Sequence, residues 1–401
     1  MRGKGSIVTE ATYDTELDRP HLAKPIVHVV AAGEFGGAEA QILALLTELQ
    51  RRQANLVVVT YYEGIFAQRV RALGIPLHIL RTRTPWGDFR QLLAVCRTAG
   101  AGLLHTHGVR ASIAGRLAGR LVGAPVVTTV HSDLYYDYAS PVKRMAFMWL
   151  EAMTRRLSQR VVAVSEALAG TLLERGYRRE RLTVIHNALD VTAADAEIAR
   201  AREAPLHLRR HLGLPDHAYV VMCVARLHAV KRQDVLIEAM ALLPEANGRP
   251  THLVLAGAGA EEDRLRRLAH GGPSGDRVHF LGARGDVFAL LAEADVFALP
   301  SQMEGLPIAP LEAMLSGLPV IASRVGGLSE IVVEGDSGTG VLVAPGDVHG
   351  FAQAVQSILA DDDRRSAMGR RAAQRVRSHF ALQQMVEITA ELYENVKKSS
   401  K

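Results

Sequence analysis

Two glutamates eight residues apart, Glu304 and Glu312, and two cations five apart, Arg226 and Lys231, are the residues whose types and spacing invite chemistry first. Each pair follows an apolar run that reads as a β-strand, residues 296–299 for the glutamates and 220–224 for the cations. Beyond the first run come Ser301, Glu304, Gly305, Leu306 and Pro307, with a second proline at Pro310. Proline suits a first helical turn, so amides within residues 305–308 would stand at a helix N-terminus, an anion site. Arg226 by bidentate contact and Lys231 as a point charge suit a diphosphate. Two carboxylates are poor phosphate ligands and good acceptors for sugar hydroxyls. A nucleotide sugar explains the combination, with diphosphate on amides and cations and hydroxyls on carboxylates. The bland alternatives are a helix cap at Glu304 and solvated charge at Glu312, Arg226 and Lys231.

Weaker candidates surround these. Gly36 and Gly37 follow an apolar run at residues 26–32 and allow a ligand to approach the backbone closely. With Gly33 they do not make the G-x-G-x-x-G spacing of a dinucleotide site. Gly257 and Gly259 read as a tight turn. His131 follows a strand at 125–130, and His105 and His107 end another; a cleft histidine can bond a sugar or move a proton, though most are structural. Asp361, Asp362 and Asp363 open a basic helix, where capping explains them better than a metal does. No spacing suits a divalent cation, so the metal expectation is none. A helix at 141–157 carries Met145, Met148, Trp149, Ala152 and Arg156 on one stripe, which reads first as core packing.

The elements that would hold these residues alternate. Strands at 26–32, 56–60, 76–80, 102–105, 125–130, 160–164 and 182–185 are separated by helices at 38–52, 64–73, 86–98, 110–121 and 141–157. A second series has strands at 220–224, 252–256, 278–281, 296–299, 320–322 and 340–343. Its helices lie at 234–243, 261–268, 286–292, 307–316 and 328–333. Alternation of this kind implies parallel sheets, here two doubly wound α/β domains. Such sheets bind ligands beyond the carboxyl ends of their strands, so a site belongs in the cleft between the domains. The expected division is a loose tail over 1–24, a Rossmann-like acceptor-side domain over 25–190 and a connector over 191–215. A Rossmann-like nucleotide-sugar domain follows over 216–377, then a C-terminal helix over 378–401 packing back on the first domain. Helical pattern runs from 348 to about 397.

Composition agrees. The chain has 401 residues, 48% apolar and 22% charged, with a mean hydropathy of +0.07. That is globular and excludes disorder and low complexity. Formal charge is +5 and the pI about 9.3, which attracts phosphates or an anionic membrane without being a nucleic-acid signature. Cys96 and Cys223 lie in separate apolar stretches, as buried free thiols of a reducing compartment do. No uncharged run reaches the roughly 18 residues of a spanning helix, and the N-terminus has no apolar signal core. The expectation is a cytoplasmic protein. Lys143, Arg144 and Arg155 offer peripheral contact with the inner face of the plasma membrane, against the simpler reading of solvated charge.

Together these residues resemble the retaining glycosyltransferases of family 4, with the GT-B fold, over about residues 26–380. The likeness lies in the frame from Ser301 to Val320, with Gly317 and Pro319 in place, and in Gly326, Gly327 and Glu330 beyond it. It extends to Arg226 and Lys231, to Gly36, Gly37 and Glu39, and to His131, Ser165 and Asn187. The resemblance implies transfer of a sugar from a nucleotide-diphosphate sugar, UDP- or GDP-linked, to a hydroxyl acceptor with retention and no metal or other cofactor. It implies an acceptor that is a sugar, a lipid-linked molecule or a small molecule, in bacterial polysaccharide, cell-envelope or glycolipid synthesis. Arg226 and Lys231 would neutralise the diphosphate, Glu304 hold the donor sugar and Glu312 the ribose. Gly37 and His131 would approach the reacting sugar, and Gly282 would lie against the base. The chain departs from the family's frequent Pro-Asn-Gly at His186, Asn187 and Ala188, and from frequent glycines at Ala225 and Arg232. An epimerase or phosphorylase on the same fold, or a silent nucleotide-sugar-binding partner, are the alternatives.

Overall fold

The computed structural model describes residues 24–31, 36–82, 84–137, 140–243 and 246–399. The tail expected over 1–24, apart from Lys24, and Gly33 of the glycine-rich turn lie outside them.

The first sheet has seven parallel strands: β1 (Ile26–Val30), β2 (Leu56–Thr60), β3 (Leu77–Ile79), β4 (Leu103–His107), β5 (Val126–Val130), β6 (Arg160–Ala163) and β7 (Leu182–Val184), in the order β3-β2-β1-β4-β5-β6-β7. The second has six: β8 (Tyr219–Val224), β9 (Thr251–Ala256), β10 (Val278–Gly282), β11 (Val296–Leu299), β12 (Val320–Ser323) and β13 (Gly340–Val343), in the order β10-β9-β8-β11-β12-β13. Every strand pairing in both sheets is parallel. In each sheet the order reverses once, between β1 and β4 and between β8 and β11. Those are the switch points where α/β sheets open a crevice.

The first lobe's helices are α1 (Gly37–Arg51), α2 (Ile65–Ala72), α3 (Pro85–Thr98), α4 (Val109–Val122), α5 (Leu134–Asp137), α6 (Pro141–Thr154) and α7 (Glu166–Glu174). Then follow α8 (Val191–Glu203), α9 (Leu208–His211), α10 (Gln233–Leu242), α11 (Glu262–His270), α12 (Val287–Leu291), α13 (Ile308–Leu315), α14 (Leu328–Ile331), α15 (Val348–Leu359), α16 (Asp362–His379) and α17 (Leu382–Lys398). The helical pattern beyond 348 is therefore three helices rather than one. Asp361 caps α16 by accepting from the Arg364 amide at 2.9 Å, and Asp362 pairs with Arg365, so the acidic run is a helix start.

Strands covered by helices on both sides are mostly apolar because neither face meets water, and the polar residues in β1 and β4 are buried and hydrogen-bonded, His28 to His107 among them. All five residues of β1, β2 and β4 are buried. At about 1.5–3 kcal/mol for a fully buried Val, Leu or Ile, each is a substantial share of a domain's net stability. The chain passes between the lobes twice, and the passages are laced together. The Leu189 amide donates to the Phe380 carbonyl at 2.9 Å and the Leu382 amide to the Leu189 carbonyl at 2.8 Å. Beyond that point α17 lies on the first lobe, where Met385, Val386, Leu392, Tyr393 and Val396 join a core with Ile26, Ile42, Leu46 and Leu103. Helix α8 packs instead on α12 and α13 of the second lobe. Ala188, buried beside the first passage, is not among the residues with positive φ. Its amide donates to Gln41 Oε1 at 2.8 Å, so the alanine in place of a frequent glycine brings no strain.

Among the described residues no helix is long and apolar enough to cross a membrane.

Candidate active site

The charged half of the cleft grows from the carboxyl ends of β8 and β11. Past β8 the chain turns through exposed Arg226 to a short 3₁₀ turn that ends at Lys231. The Ala225 and Leu227 amides are tied to the neighbouring loop, on the Ala256 and Ala258 carbonyls at 3.0 Å each, and Gln233 Nε2 holds the Arg226 carbonyl at 2.8 Å. The loop that carries both cations is thus fixed in its backbone. Past β11, Glu304 is buried and turned toward them. Its Oε1 accepts from Lys231 Nζ at 2.6 Å and from Ser301 Oγ at 2.6 Å. It does not cap α13: the N-cap position is Pro307 and no side chain bonds there. The bland reading of Glu304 therefore fails on geometry.

Gly305, Leu306 and Pro307 lead from Glu304 to α13 in tight quarters. A Cβ at Gly305 would run into the His131 carbonyl of the first lobe, and one at Gly326 would run into the Glu304 carbonyl. Gly326 also has φ +48, a conformation that favours glycine. Gly305 therefore lets the lobes touch, and Gly326 lets the turn after β12 lie flat under the glutamate. The Gly327 amide donates to the Gly305 carbonyl at 2.8 Å, and Asn187 Nδ2 donates to the Leu306 carbonyl at 2.7 Å.

Glu312, one turn into α13, is partly buried. Burial pushes its carboxyl up to about 7, and the Glu197 charge on α8 adds to the shift. It is not a solvated surface charge. A carboxyl close to half protonated at neutral pH can donate as well as accept, which suits a pair of hydroxyls. Gly282 ends β10 at φ +66, and its carbonyl receives the Gly257 amide at 2.7 Å. It stands two strands from the β8–β11 crevice, about 10 Å at the usual strand spacing.

The facing half is built differently. Gly36 and Gly37 begin α1, with the Gly36 amide donating to Glu39 Oε2 at 3.1 Å. A Cβ at Gly37 would sit 3.7 Å from Ile308, the first residue of α13. Two helix N-termini thus confront each other across the cleft, and both carry partial positive charge. Beside them lies a chain of buried imidazoles. His28 Nδ1 is 3.3 Å from His107 Nε2, and His107 Nδ1 is 3.2 Å from His131 Nε2. Burial pushes His28 down to about 3 and His131 down to about 4, and lowers His105 and His107 as well. All four pKa values lie below the ordinary imidazole value, so burial favours the neutral rings and His131 offers hydrogen-bonding nitrogens rather than a positive charge. Its Nδ1 is buried without a partner, as is Nε2 of His28 at the far end. Sequence singles out three of these histidines separately; His28 sits mid-strand, and only the register of β1 on β4 brings it into line.

His28, His105 and His107 bring ligand atoms within 4.8 Å of one another, but His105 is already committed on both nitrogens. Nε2 meets Thr129 Oγ1 at 2.7 Å and Nδ1 the Tyr393 hydroxyl at 2.5 Å. That wiring is a structural network tying α17 to the sheet.

Glu330 does work across the lobes that the sequence pattern does not disclose. Its carboxylate accepts the Glu166 and Ala167 amides at the start of α7, at 2.9 Å each, and His186 Nε2 at 2.8 Å. Burial raises its pKa, but the bonds from His186 and the two amides outweigh that and hold it below the ordinary value. Ser165 caps the same helix through the Leu168 amide at 3.1 Å.

Comparison with known proteins follows this division of the chain. The family Glycosyltransferase Family 4 matches residues 35–193, and the family Glycosyl transferases group 1 matches residues 207–375. A D-inositol 3-phosphate glycosyltransferase of Xylanimonas cellulosilytica is 30% identical over 91% of each chain. A UDP-Gal:alpha-D-GlcNAc-diphosphoundecaprenol alpha-1,3-galactosyltransferase of Escherichia coli is 28% identical over 93% of this chain and 97% of its own. Among solved structures, Anabaena HepE in complex with UDP and glucose superposes with a TM-score of 0.80 at 25% identity, over 93% of this chain and all of that one. These likenesses do not favour the epimerase, phosphorylase or silent-partner alternatives.

Proposed function

The chain belongs to glycosyltransferase family 4, and from that membership we propose the details of its reaction. A glycosyl group passes from a UDP- or GDP-sugar to a hydroxyl acceptor, with retention at the anomeric carbon and without a metal ion. The observation that supports this most is the Lys231–Glu304–Ser301 cluster at the second lobe's switch point, opposite the first turn of α1. In the free protein Lys231 and Glu304 neutralise each other. The arriving diphosphate draws Lys231 and Arg226, while sugar hydroxyls take up the Glu304 carboxylate. Glu312 holds the ribose, Gly282 lies at the base, and the amides of Gly305, Leu306 and Gly37 approach the phosphates and sugar. When the anomeric C–O bond breaks, its electron pair leaves with the nucleoside diphosphate. Positive charge held ready for that leaving group is the electrostatic route to rate. Two cations and two helix N-termini there supply the kind of positive charge that a divalent ion would otherwise bring.

The UDP held by HepE supports a UDP-sugar as first choice of donor. The two buried free thiols support a reducing, cytoplasmic location. The test is a thermal-shift screen of UDP-, GDP- and ADP-sugars followed by turnover with EDTA present. A ligand at 100 times its Kd adds about 2.7 kcal/mol, which a melting curve resolves. Activity lost in EDTA and restored by Mn²⁺ or Mg²⁺ would remove the metal-free reading, and an inverted product would remove retention.

A further inference from the structure

Helix α6 buries a single residue, Thr154. Val142, Met145, Trp149 and Met153 are 76, 69, 63 and 64% exposed, and Leu150 is exposed beside them. Spaced at i, i+3, i+7 and i+11, the four form one stripe along the helix. The sequence alone reads this helix as packing its methionines and tryptophan into a core; the structure turns the stripe outward. Helix α4 packs alongside and adds exposed Leu117 and Leu121, so the stripe widens into a ridge across two helices.

Among the described residues, the charges that α4, α6 and the turn after α6 expose are basic. Lys143, Arg156 and Arg120 are exposed, and Arg144 stacks over the Tyr135 ring at 4.2 Å. Helix α4 contains no acid, and the one acid of α6, Glu151, is turned inward to Arg116 Nη1 at 3.0 Å and to the Tyr177 hydroxyl. A second copy of this face would bring the cations together, which disfavours self-pairing. An anionic surface meets them with opposite charge, and a short helix with apolar and cationic sides is the form that lies in a lipid interface. At about 1.5 Å per residue the helix is too short to cross one.

The inner side of α6 faces a cavity. Glu151 lines this cavity of about 70 Å³ together with Leu134, Arg175, Tyr177, His131 and Ser132. We propose that the α4–α6 face seats the protein on an anionic lipid bilayer and delivers an acceptor carried by a lipid to the cavity beside His131. The seat follows from the ridge and its charges; the delivery rests on the transferase reading.

The experiment is sedimentation with vesicles of phosphatidylcholine, with and without phosphatidylglycerol, at low and high salt. Of the chain's two tryptophans, Trp86 is replaced by Phe so that emission reports Trp149 alone. Phosphatidylglycerol vesicles should pellet the protein, salt should release it, and Trp149 emission should shift to the blue. Met145→Glu and Trp149→Glu, which disturb no buried contact, should each weaken binding by roughly tenfold or more, given the apolar burial lost. Both should keep the wild-type melting temperature and the rate of donor hydrolysis in solution. Hydrolysis absent from the wild type would count against the transferase reading and leave the seat intact. A protein that stays in the supernatant at low salt, pelleting without a Trp149 shift, or a wild-type dimer in ultracentrifugation that Met145→Glu dissociates would each overturn the seat.

Discussion

The two rims of the cleft solve opposite electrostatic problems. The second lobe gathers formal charge at its switch point, Lys231 against Glu304, with Arg226 on the same loop as Lys231. The first lobe presents histidines that burial keeps neutral. Charge assembled before a ligand arrives suits the phosphate end of a donor, where charge develops as the bond breaks. A neutral rim suits hydroxyls, which a formal charge would bind too hard in the ground state to help the transition state. Two parallel sheets, each with one switch point, thus carry rims of different character, set by the residues that follow their strands.

The contrast can be broken most severely on the charged rim. Lys231→Ala or Arg226→Ala is expected to lower kcat/KM by roughly a hundredfold or more, the equivalent of about 3 kcal/mol of lost charge stabilisation. Glu304→Gln keeps the size and one acceptor oxygen, so the fold should survive while much of the rate goes. Steady-state kinetics beside melting curves decide: normal turnover in all three variants would take the charged rim out of the reaction.

The neutral rim breaks through acid. A histidine whose folded pKa is depressed is protonated first in the unfolded chain, so its stability is whole above about pH 6.5 and falls as pH drops toward the folded values near 3 and 4. Between pH 7 and 5.5, amides of β1 and β4 should lose hydrogen-exchange protection ahead of those of β8 and β11. Equal loss in both sheets would show that the imidazole chain is not what sets the first lobe's acid limit.

Glu312 sharpens the difference with the reverse sign. Its folded pKa is raised to about 7, so the stability it contributes is present below about pH 4.5 and lost as pH rises through 7. Glu312→Gln should raise the melting temperature at pH 8, leave it nearly unchanged at pH 4.5, and weaken UDP binding in titration. A melting temperature that drops equally at both pH values would assign the side chain a packing role only.

The smallest expected effect lies next to Lys231. Arg232 holds φ +51, where the family frequently has glycine, and a non-glycine residue there costs roughly 1 kcal/mol. Its partly exposed pair with Asp234 returns about 0.5 kcal/mol. Arg232→Gly should therefore shift the melting temperature upward by only about 1–2 °C. A clear fall would mean that the pair outweighs the backbone.

How much of this can be read from residues alone follows from range. Strands such as 56–60, 296–299 and 340–343 are legible to the residue, because a strand buried on both faces must be mostly apolar and its neighbours need not be. Helix α7 escapes the pattern, since EALAGTLLE mixes small and apolar residues without a clear polar face. In the candidate site, motif and strand end point to Glu304 and Lys231, but the 2.6 Å contact depends on how two loops are shaped. His28 and Glu330 are further from reach. His28 acts through strand register and leaves no local trace, whereas Glu330 stands in the sequence frame but its partners across the lobes do not. The stripe on α6 misleads for the same reason: helical periodicity says which residues share a face, and only the assembled fold says whether anything covers it.

The laced passages at Leu189 and Phe380–Leu382 give the molecule its mechanics. A single strand between two bodies lets one swing, twist and slide against the other. Two strands hydrogen-bonded side by side behave as a pair of pins, and the motion left soft is a swing about the line that joins them. Glu330, gripping the start of α7 and His186, is the catch on that swing, and the snug seat of Gly305 against the His131 carbonyl is its stop. Loosening the catch would therefore leave the pair of pins as the remaining tie between the lobes, and it restricts the ways in which they can part.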